Sequence, residues 1–236
     1  MYSDVFCRAY NEFGWNYYPE AFGEQLLKWL AAQGLHPRSA LDLACGTGVL
    51  CRILQAAGIR SRGMDLSEGM IAIARAESPD IPYDVADMVT YRPEMHFELV
   101  TCTGDALNHI EDLSDVGRIF ENVHACLAPG GLFVFDLLHE QEISSAEPFE
   151  LEFDDTITAR FQITRPAGDR VHLQTQVFEN GVHRFTEDIF ERVHDRFAVL
   201  ALLEQAGFER VSCAHRLCDD GGEVATWYII ARKPAR

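Results

Sequence analysis

The sequence predicts an α/β fold, a doubly wound and mostly parallel sheet that is interrupted after its fifth strand by an antiparallel β insertion. Three observations carry this. The stretch LDLACGTGVL, from Leu41 to Leu50, joins an apolar strand, a glycine turn and the start of a helix. Strand and helix patterns then alternate as far as Asp136, as they do where crossover helices link parallel strands. From about Phe149 the pattern changes to long runs of period two, the signature of antiparallel strands.

The chain opens with Phe6, Tyr10, Phe13, Trp15, Tyr17 and Tyr18 before Pro19 starts a helix carrying Phe22, Leu26, Trp29 and Leu30 at helical spacing. So many aromatics require burial or a ligand: a flap packed on the core, a lid over a bound molecule, or both. Leu41, Leu43 and Ala44 read as the first strand, Gly46 and Gly48 permit the tight turn, and Val49, Leu50, Ile53, Leu54 and Ala57 continue as a helix. A strand near Ser61 to Asp65 follows, then a helix from Ser67 as N-cap to Ala76, a strand near Tyr83 to Ala86, and a strand from Glu98 to Cys102. A helix from Asp112 to Leu127 places Leu113, Val116, Phe120, Val123 and Leu127 on one face, and Pro129-Gly130-Gly131 is expected to stop it before a strand from Leu132 to Asp136.

In the insertion, Ile157, Ala159, Phe161 and Ile163 point one way, and Asn180-Gly181 marks a tight turn between two further strands. A helix through Phe197, Leu200 and Leu203 breaks at Gly207, and strands near Val211 and from Ala225 to Ala231 end the chain, with Asp219, Asp220, Gly221 and Gly222 as a polar connection. The expected organisation is an aromatic arm and helix (1–36), a core (37–148 and 194–236) and an antiparallel cap (149–193) in one folding unit.

With 47% hydrophobic residues the chain can bury a core. Its 20 basic and 37 acidic residues give a formal charge of -17, a field that repels nucleic acid and anionic membranes. The seven cysteines (Cys7, Cys45, Cys51, Cys102, Cys126, Cys213 and Cys218) form no C-x-x-C pair and read as reduced, mostly buried thiols. Without a signal-peptide core or an apolar run of about eighteen residues, a cytoplasmic protein is expected, as monomer or homodimer. Nine histidines make neither H-x-x-x-H nor H-E-x-x-H, so no metal is expected.

A glycine turn at a strand end, followed about twenty residues later by an acid, suits a nucleotide-like ligand. The third glycine of a dinucleotide-binding turn is missing, because its position falls on Cys51. A ligand without phosphates therefore fits better than a nicotinamide dinucleotide, which remains the alternative.

The motifs resemble those of the class I S-adenosylmethionine-dependent methyltransferases: Asp42, Ala44, Gly46 and Gly48 match the first motif, and GMDLSEGMIAIAR (63–75), VADM (85–88), FELVTCTGDALNHI (97–110) and LAPGGLFVFDL (127–137) follow in the family's order. Within the family the chain looks most like small-molecule enzymes of the sugar-amine N,N-dimethyl and glycine or sarcosine types. The resemblance implies a seven-stranded Rossmann-like sheet, S-adenosylmethionine as cofactor and a small-molecule methyl acceptor. It also implies that Asp65 takes the ribose hydroxyls, that Asp87, Met88 and Leu66 hold the adenine, and that Asp42 serves the turn's backbone N–H groups or the cofactor's ammonium. Tyr10 and Cys102 complete the expected cofactor contacts, and larger side chains in place of Ala44, Gly46 and Gly48 are expected to block the cofactor.

The segment after the fourth strand should lie beside the sulfonium and the nucleophile. It lacks the Asn/Asp-Pro-Pro-aromatic and Pro-Cys motifs of base and glutamine methylation. Methyl transfer needs mainly alignment, but an amine acceptor must be unprotonated to attack. Asp105 and His109 are the candidates to hold it or take its proton, with Tyr17 and Tyr18 offering a hydroxyl or an aromatic face. A protein that binds the cofactor without turnover is the further alternative.

Overall fold

A computed structural model describes residues 3–12, 14–138, 147–152, 155–165, 168–214 and 226–235. After a short helix α1 (Asp4–Ala9) come α2 (Tyr17–Ala32), β1 (Ser39–Leu43), α3 (Val49–Ala56), β2 (Arg60–Asp65), α4 (Glu68–Glu77), β3 (Tyr83–Val85) and β4 (Phe97–Cys102). The chain continues through a 3-10 turn (Ala106–His109), α5 (Leu113–Cys126), β5 (Leu127–Leu138), β6 (Phe149–Glu152), β7 (Ile157–Thr164), β8 (Arg170–Glu179), β9 (Val182–Arg192), α6 (Arg196–Gln205), β10 (Glu209–Ala214) and β11 (Thr226–Arg232).

Seven strands form the main sheet in the order β10-β11-β5-β4-β1-β2-β3. β3, β2, β1, β4 and β5 are parallel, and β11 runs antiparallel to both β5 and β10. Burial on both faces explains the apolar runs of these strands. In β5, Phe133, Phe135 and Leu137 pack with α5 and α6 residues such as Phe120, Val123 and Leu203, whereas Leu132 and Val134 pack with Phe22, Leu26 and Leu54 of α2 and α3. Each such side chain contributes about 1.5–3 kcal/mol when taken from water.

The fifth strand differs from expectation, because Pro129-Gly130-Gly131 does not separate helix from strand but lies within β5. Gly130 N–H donates to Lys233 O at 3.0 Å and Lys233 N–H to Gly131 O at 2.9 Å, so the glycines pair with the C-terminal segment. The mismatch is absorbed by a register shift opposite Phe97 and Leu99. Of the three positions that mark α6 in the sequence, Leu200 and Leu203 face the core together with Val199, and Phe197 is 68% exposed.

β6 to β9 form a separate antiparallel sheet in sequential order. Asn180 and Gly181 both have positive φ, 51° and 74°, as a two-residue hairpin turn between twisted strands requires. Ala159, Phe161, Val177 and Phe185 of this sheet cluster with Phe6, Tyr10 and Trp15 of the arm and Met70 of α4. The N-terminal aromatics therefore fill the space between core and second sheet. Ser3 donates to Glu187 of β9 through its N–H (2.9 Å) and hydroxyl (2.6 Å), and Thr47 of the glycine turn donates to Asn11 at 2.8 Å.

Of the cysteines, five are buried and Cys213 is half-buried, all free, among the described residues. Among these residues no helix is long and apolar enough to cross a membrane. Phe13, Cys218, Ala225 and the connection at 219–222 lie outside the described residues.

Candidate active site

Parallel strands all present their C-terminal ends at one edge of the sheet, and there the chain leaves β1, β2 and β4 in turns around a cavity of about 370 Å³. Asp42, Ala44 and Gly46 line it from β1 and its turn, Asp65 and Leu66 from the end of β2, and Asp87 and Met88 from the segment after β3. Tyr10 and Tyr18 line it from the arm, Thr103, Gly104 and His109 from the segment after β4, and Asp188, Ile189 and Phe190 from β9. The predicted cofactor residues are thus brought together, with the exception of Gly48 and Cys102.

Asp65 accepts from Gly46 N–H at 2.9 Å with one oxygen and from Ser67 N–H at 2.8 Å with the other. Burial raises its pKa, and the bonds from Ser67 and Gly46 oppose the rise. A carboxylate has about four acceptor sites, so these amides leave acceptor capacity for a ligand. Ser67 caps α4 as expected, accepting from Met70 N–H at 3.3 Å.

Asp42 is only 3% exposed, and its partners are not the turn amides. It accepts from the Thr101 hydroxyl at 2.7 Å and the Cys51 thiol at 3.8 Å, while the Gly46 amide goes to Asp65. Burial pushes its pKa to about 7 against the Thr101 bond.

The two turn glycines differ. Gly46, on the cavity wall at φ 53°, would carry a Cβ with no protein atom within 4 Å. Gly48, at φ 79°, would drive a Cβ into the Tyr83 hydroxyl and to 2.9 Å from its ring, so it answers to packing rather than to ligand approach. Ala44 holds a φ of 54° although it has a Cβ, a left-handed conformation uncommon outside glycine.

Asp87 accepts from Val89 N–H at 2.8 Å and begins a turn closed by Thr90 and Tyr91 N–H on its carbonyl. Met88 lines the cavity and also packs on the core. Leu66 is 52% exposed, an apolar wall open to a ligand. Cys102 is a correction: it is fully buried and packs with Leu43, Val100 and Phe135, because strand alternation turns it into the core while Thr103 reaches the cavity.

After β4 the backbone turns through Gly104 and Asp105, at φ 73° and 53°. Asp136, buried at the end of β5, fixes this turn by accepting from Gly104 N–H at 2.9 Å and Asp105 N–H at 3.0 Å. The Tyr18 hydroxyl also donates to Asp136 and lies 3.2 Å from the Tyr228 hydroxyl. Tyr18 therefore lines the cavity with its hydroxyl committed elsewhere, and Tyr17, 74% exposed, faces solvent.

His109 stands on the wall with two carboxylates beside it. Its Nε2 lies 3.9 Å from Asp105 and 3.8 Å from Glu191 of β9, and the ring hydrogen-bonds the Phe190 carbonyl. Burial lowers the His109 pKa and raises that of Glu191 to about 7, and Asp105 is raised by burial and by Glu191 and Asp136. The three donor atoms lie within 4.8 Å of one another, a set able to hold a cation. No sequence spacing reveals it, since residues 105, 109 and 191 meet only through the packing of β9 on the segment after β4. Asn108 makes that junction, donating to Arg192 O at 2.7 Å and accepting from Leu138 N–H at 3.1 Å.

Residues 40–131 match the family model described as a methyltransferase domain. These residues thus form a region similar to methyltransferase domains. The chain is 26% identical over 189 residues to the dTDP-4-amino-2,3,4,6-tetradeoxy-D-glucose N,N-dimethyltransferase of Saccharopolyspora spinosa, a match covering 72% of this chain and 71% of that one. The chain spans about half the length of the first curated relatives it matches, 49% for a Geobacillus sp. (strain WCH70) sequence and 52% for one from Bacillus subtilis (strain 168). Its fold is shared with the CcbJ methyltransferase from Streptomyces caelestis, at a TM-score of 0.81 and 17% identity over 98% of this chain and 96% of that one. It is also shared with CalS10 of Micromonospora echinaspora, an amino pentose methyltransferase solved with S-adenosylmethionine bound, at a TM-score of 0.77 and 21% identity over 99% and 98% of the chains.

Proposed function

We propose that the protein binds S-adenosylmethionine at the C-terminal edge of its parallel strands and transfers the methyl group to a small-molecule acceptor, an amine nitrogen, by in-line displacement. The observation that carries this is one cavity lined both by Asp65 and Gly46 beside the glycine turn and by His109 after β4. Bound there, the cofactor supplies a methyl carbon whose bond to sulfur breaks, with its electron pair, as the bond to the acceptor forms.

The chain's own residues hold and align. Asp65, preset by two backbone amides, receives the ribose hydroxyls, Asp42 faces the amino-acid ammonium, and Leu66, Asp87 and Met88 enclose the adenine. The arm (1–36) and the cap (149–193) cover the acceptor and exclude water, and such alignment supplies several kcal/mol as an order of magnitude. A His109 with lowered pKa is neutral near pH 7 and takes the proton that a methylated amine must lose, while Asp105 and Glu191 stabilise the imidazolium. Relatives named for amino sugars support a nitrogen acceptor.

Nothing in the cavity favours a nicotinamide dinucleotide, because Cys51, at the third-glycine position, is fully buried beneath the turn. Calorimetry with S-adenosylmethionine and NADH, followed by an assay of S-adenosylhomocysteine release over amine, hydroxyl and thiol acceptors, tests the proposal. We expect binding of the first ligand alone and turnover with amines. Binding of NADH instead, or turnover confined to hydroxyl acceptors, overturns it.

A further inference from the structure

We infer that Tyr18 is a positioning residue: reaching from the arm to Asp136, it sets the backbone turn after β4 that forms part of the cavity wall. The inference rests on the methyl transfer proposed above and adds a side chain that acts through Asp136 rather than on the reacting atoms.

Two successive residues of this turn, Gly104 and Asp105, hold positive φ, 73° and 53°. Glycine adopts this conformation freely, but at Asp105 it is strained and persists only because its surroundings hold it. Consecutive backbone N–H groups in such a turn converge on an anion. Here the anion is the chain's own. Asp136 accepts from Gly104 N–H with Oδ2 at 2.9 Å and from Asp105 N–H with Oδ1 at 3.0 Å, so one carboxylate clamps both amides. Asn108 N–H closes the following turn on the Asp105 carbonyl at 2.7 Å. Thr103, Gly104, Ala106 and His109 of this segment then line the cavity.

Asp136 is fully buried, where a carboxylate is costly unless it is hydrogen-bonded. Its side-chain donor is the Tyr18 hydroxyl, on the same Oδ2 that takes the Gly104 amide. Tyr18 stands at the start of α2, 118 residues away in sequence, so the arm supplies a donor that neither β5 nor the turn contains. The Tyr18 ring comes to 3.8 Å from the place a Cβ on Gly104 would take, and it covers the turn that its hydroxyl helps to orient. At the cofactor end the arm is tied separately, through the Thr47 hydroxyl donating to Asn11 at 2.8 Å. The two ties can therefore be cut one at a time.

The test is amide hydrogen exchange read by NMR on the full chain saturated with S-adenosylhomocysteine, beside kinetics with an amine acceptor from the screen above. Tyr18→Phe keeps the ring and removes only the hydroxyl. We expect Gly104 and Asp105 N–H to exchange about tenfold faster in it, because their shared acceptor loses a charge-assisted bond. Since misalignment lowers rate more than binding, kcat should fall about tenfold while the acceptor KM and S-adenosylhomocysteine affinity stay within about threefold. Asn11→Ala, which loosens the arm at the cofactor end, should leave both amides unchanged. Unchanged exchange in Tyr18→Phe overturns the inference, and so does equal acceleration in Asn11→Ala, which would make the effect a general loosening of the arm. Faster exchange with kcat unaltered overturns it as well. Failure of the wild-type protein to bind S-adenosylhomocysteine or to methylate any acceptor strikes the proposed function instead, and exchange in the three proteins still decides whether Tyr18 sets the turn.

Discussion

Asp65 and Asp42 carry the cofactor end in different ways, and the difference sets what each substitution does. Asp65 has its geometry fixed by Gly46 and Ser67 amides, so Asp65→Ala removes charged hydrogen bonds to the ligand and should weaken S-adenosylmethionine by about 1–3 kcal/mol in a calorimetric titration. Unchanged affinity would take Asp65 out of the site. Asp42 is held near protonation by burial, at about 7, so a ligand ammonium must displace a proton from it below that pH. Affinity should therefore fall as pH drops from 7, by up to about tenfold per unit for one linked proton, and Asp42→Asn should flatten that slope. These positions were legible in the sequence because each sits at a fixed offset from the glycine turn. Glu191 was not, because it lies 82 residues from His109 in a strand whose alternation says only which face it takes.

The glycine turn separates stability from binding. Gly48→Ala adds left-handed strain and a collision with Tyr83, whose hydroxyl is pinned to Ser78 at 2.8 Å, and should destabilise the fold by about 2–4 kcal/mol. Gly46→Ala meets no protein atom, so strain of about 1–2 kcal/mol should be its only effect on stability, with the larger loss in cofactor affinity. Denaturant titration beside calorimetry checks both, and equal losses in the two variants would contradict the distinction. Element existence was readable where periodicity was local, as for α4 behind its Ser67 cap or the Asn180-Gly181 hairpin. It misled at Pro129-Gly130-Gly131, where turn chemistry gave way to pairing with Lys233. The deciding partner there is more than a hundred residues away.

At the scale of the whole molecule, the edge that gathers the strand ends also gathers negative charge, and stability should report it. Asp42, Asp136 and Glu191 have pKa values raised by burial to about 7, 6 and 7. The same groups titrate near 4 in the unfolded chain. A folded pKa above the unfolded one means that the native state binds protons more tightly, so these groups favour folding fully below about pH 4 and lose that contribution as pH rises through 6 to 7. Acidifying the ligand-free protein from pH 8 to 5.5 should thus stabilise it, on the order of 3 kcal/mol, and relief of repulsion at a formal charge of -17 acts in the same direction. The exposed acids with lowered pKa, Glu98 and Asp188, release their opposite contribution only near and below about pH 4, outside this window, whereas His109, His124 and His194, whose pKa values burial lowers, oppose part of the gain below about pH 6.5. Thermal melts across the range should show Tm rising toward pH 5.5 in the wild-type protein and a shallower rise in Asp42→Asn/Glu191→Gln, in which two of the three groups no longer titrate. A Tm that is flat or falls on acidification would mean that the folded chain does not raise the pKa values of these carboxylates.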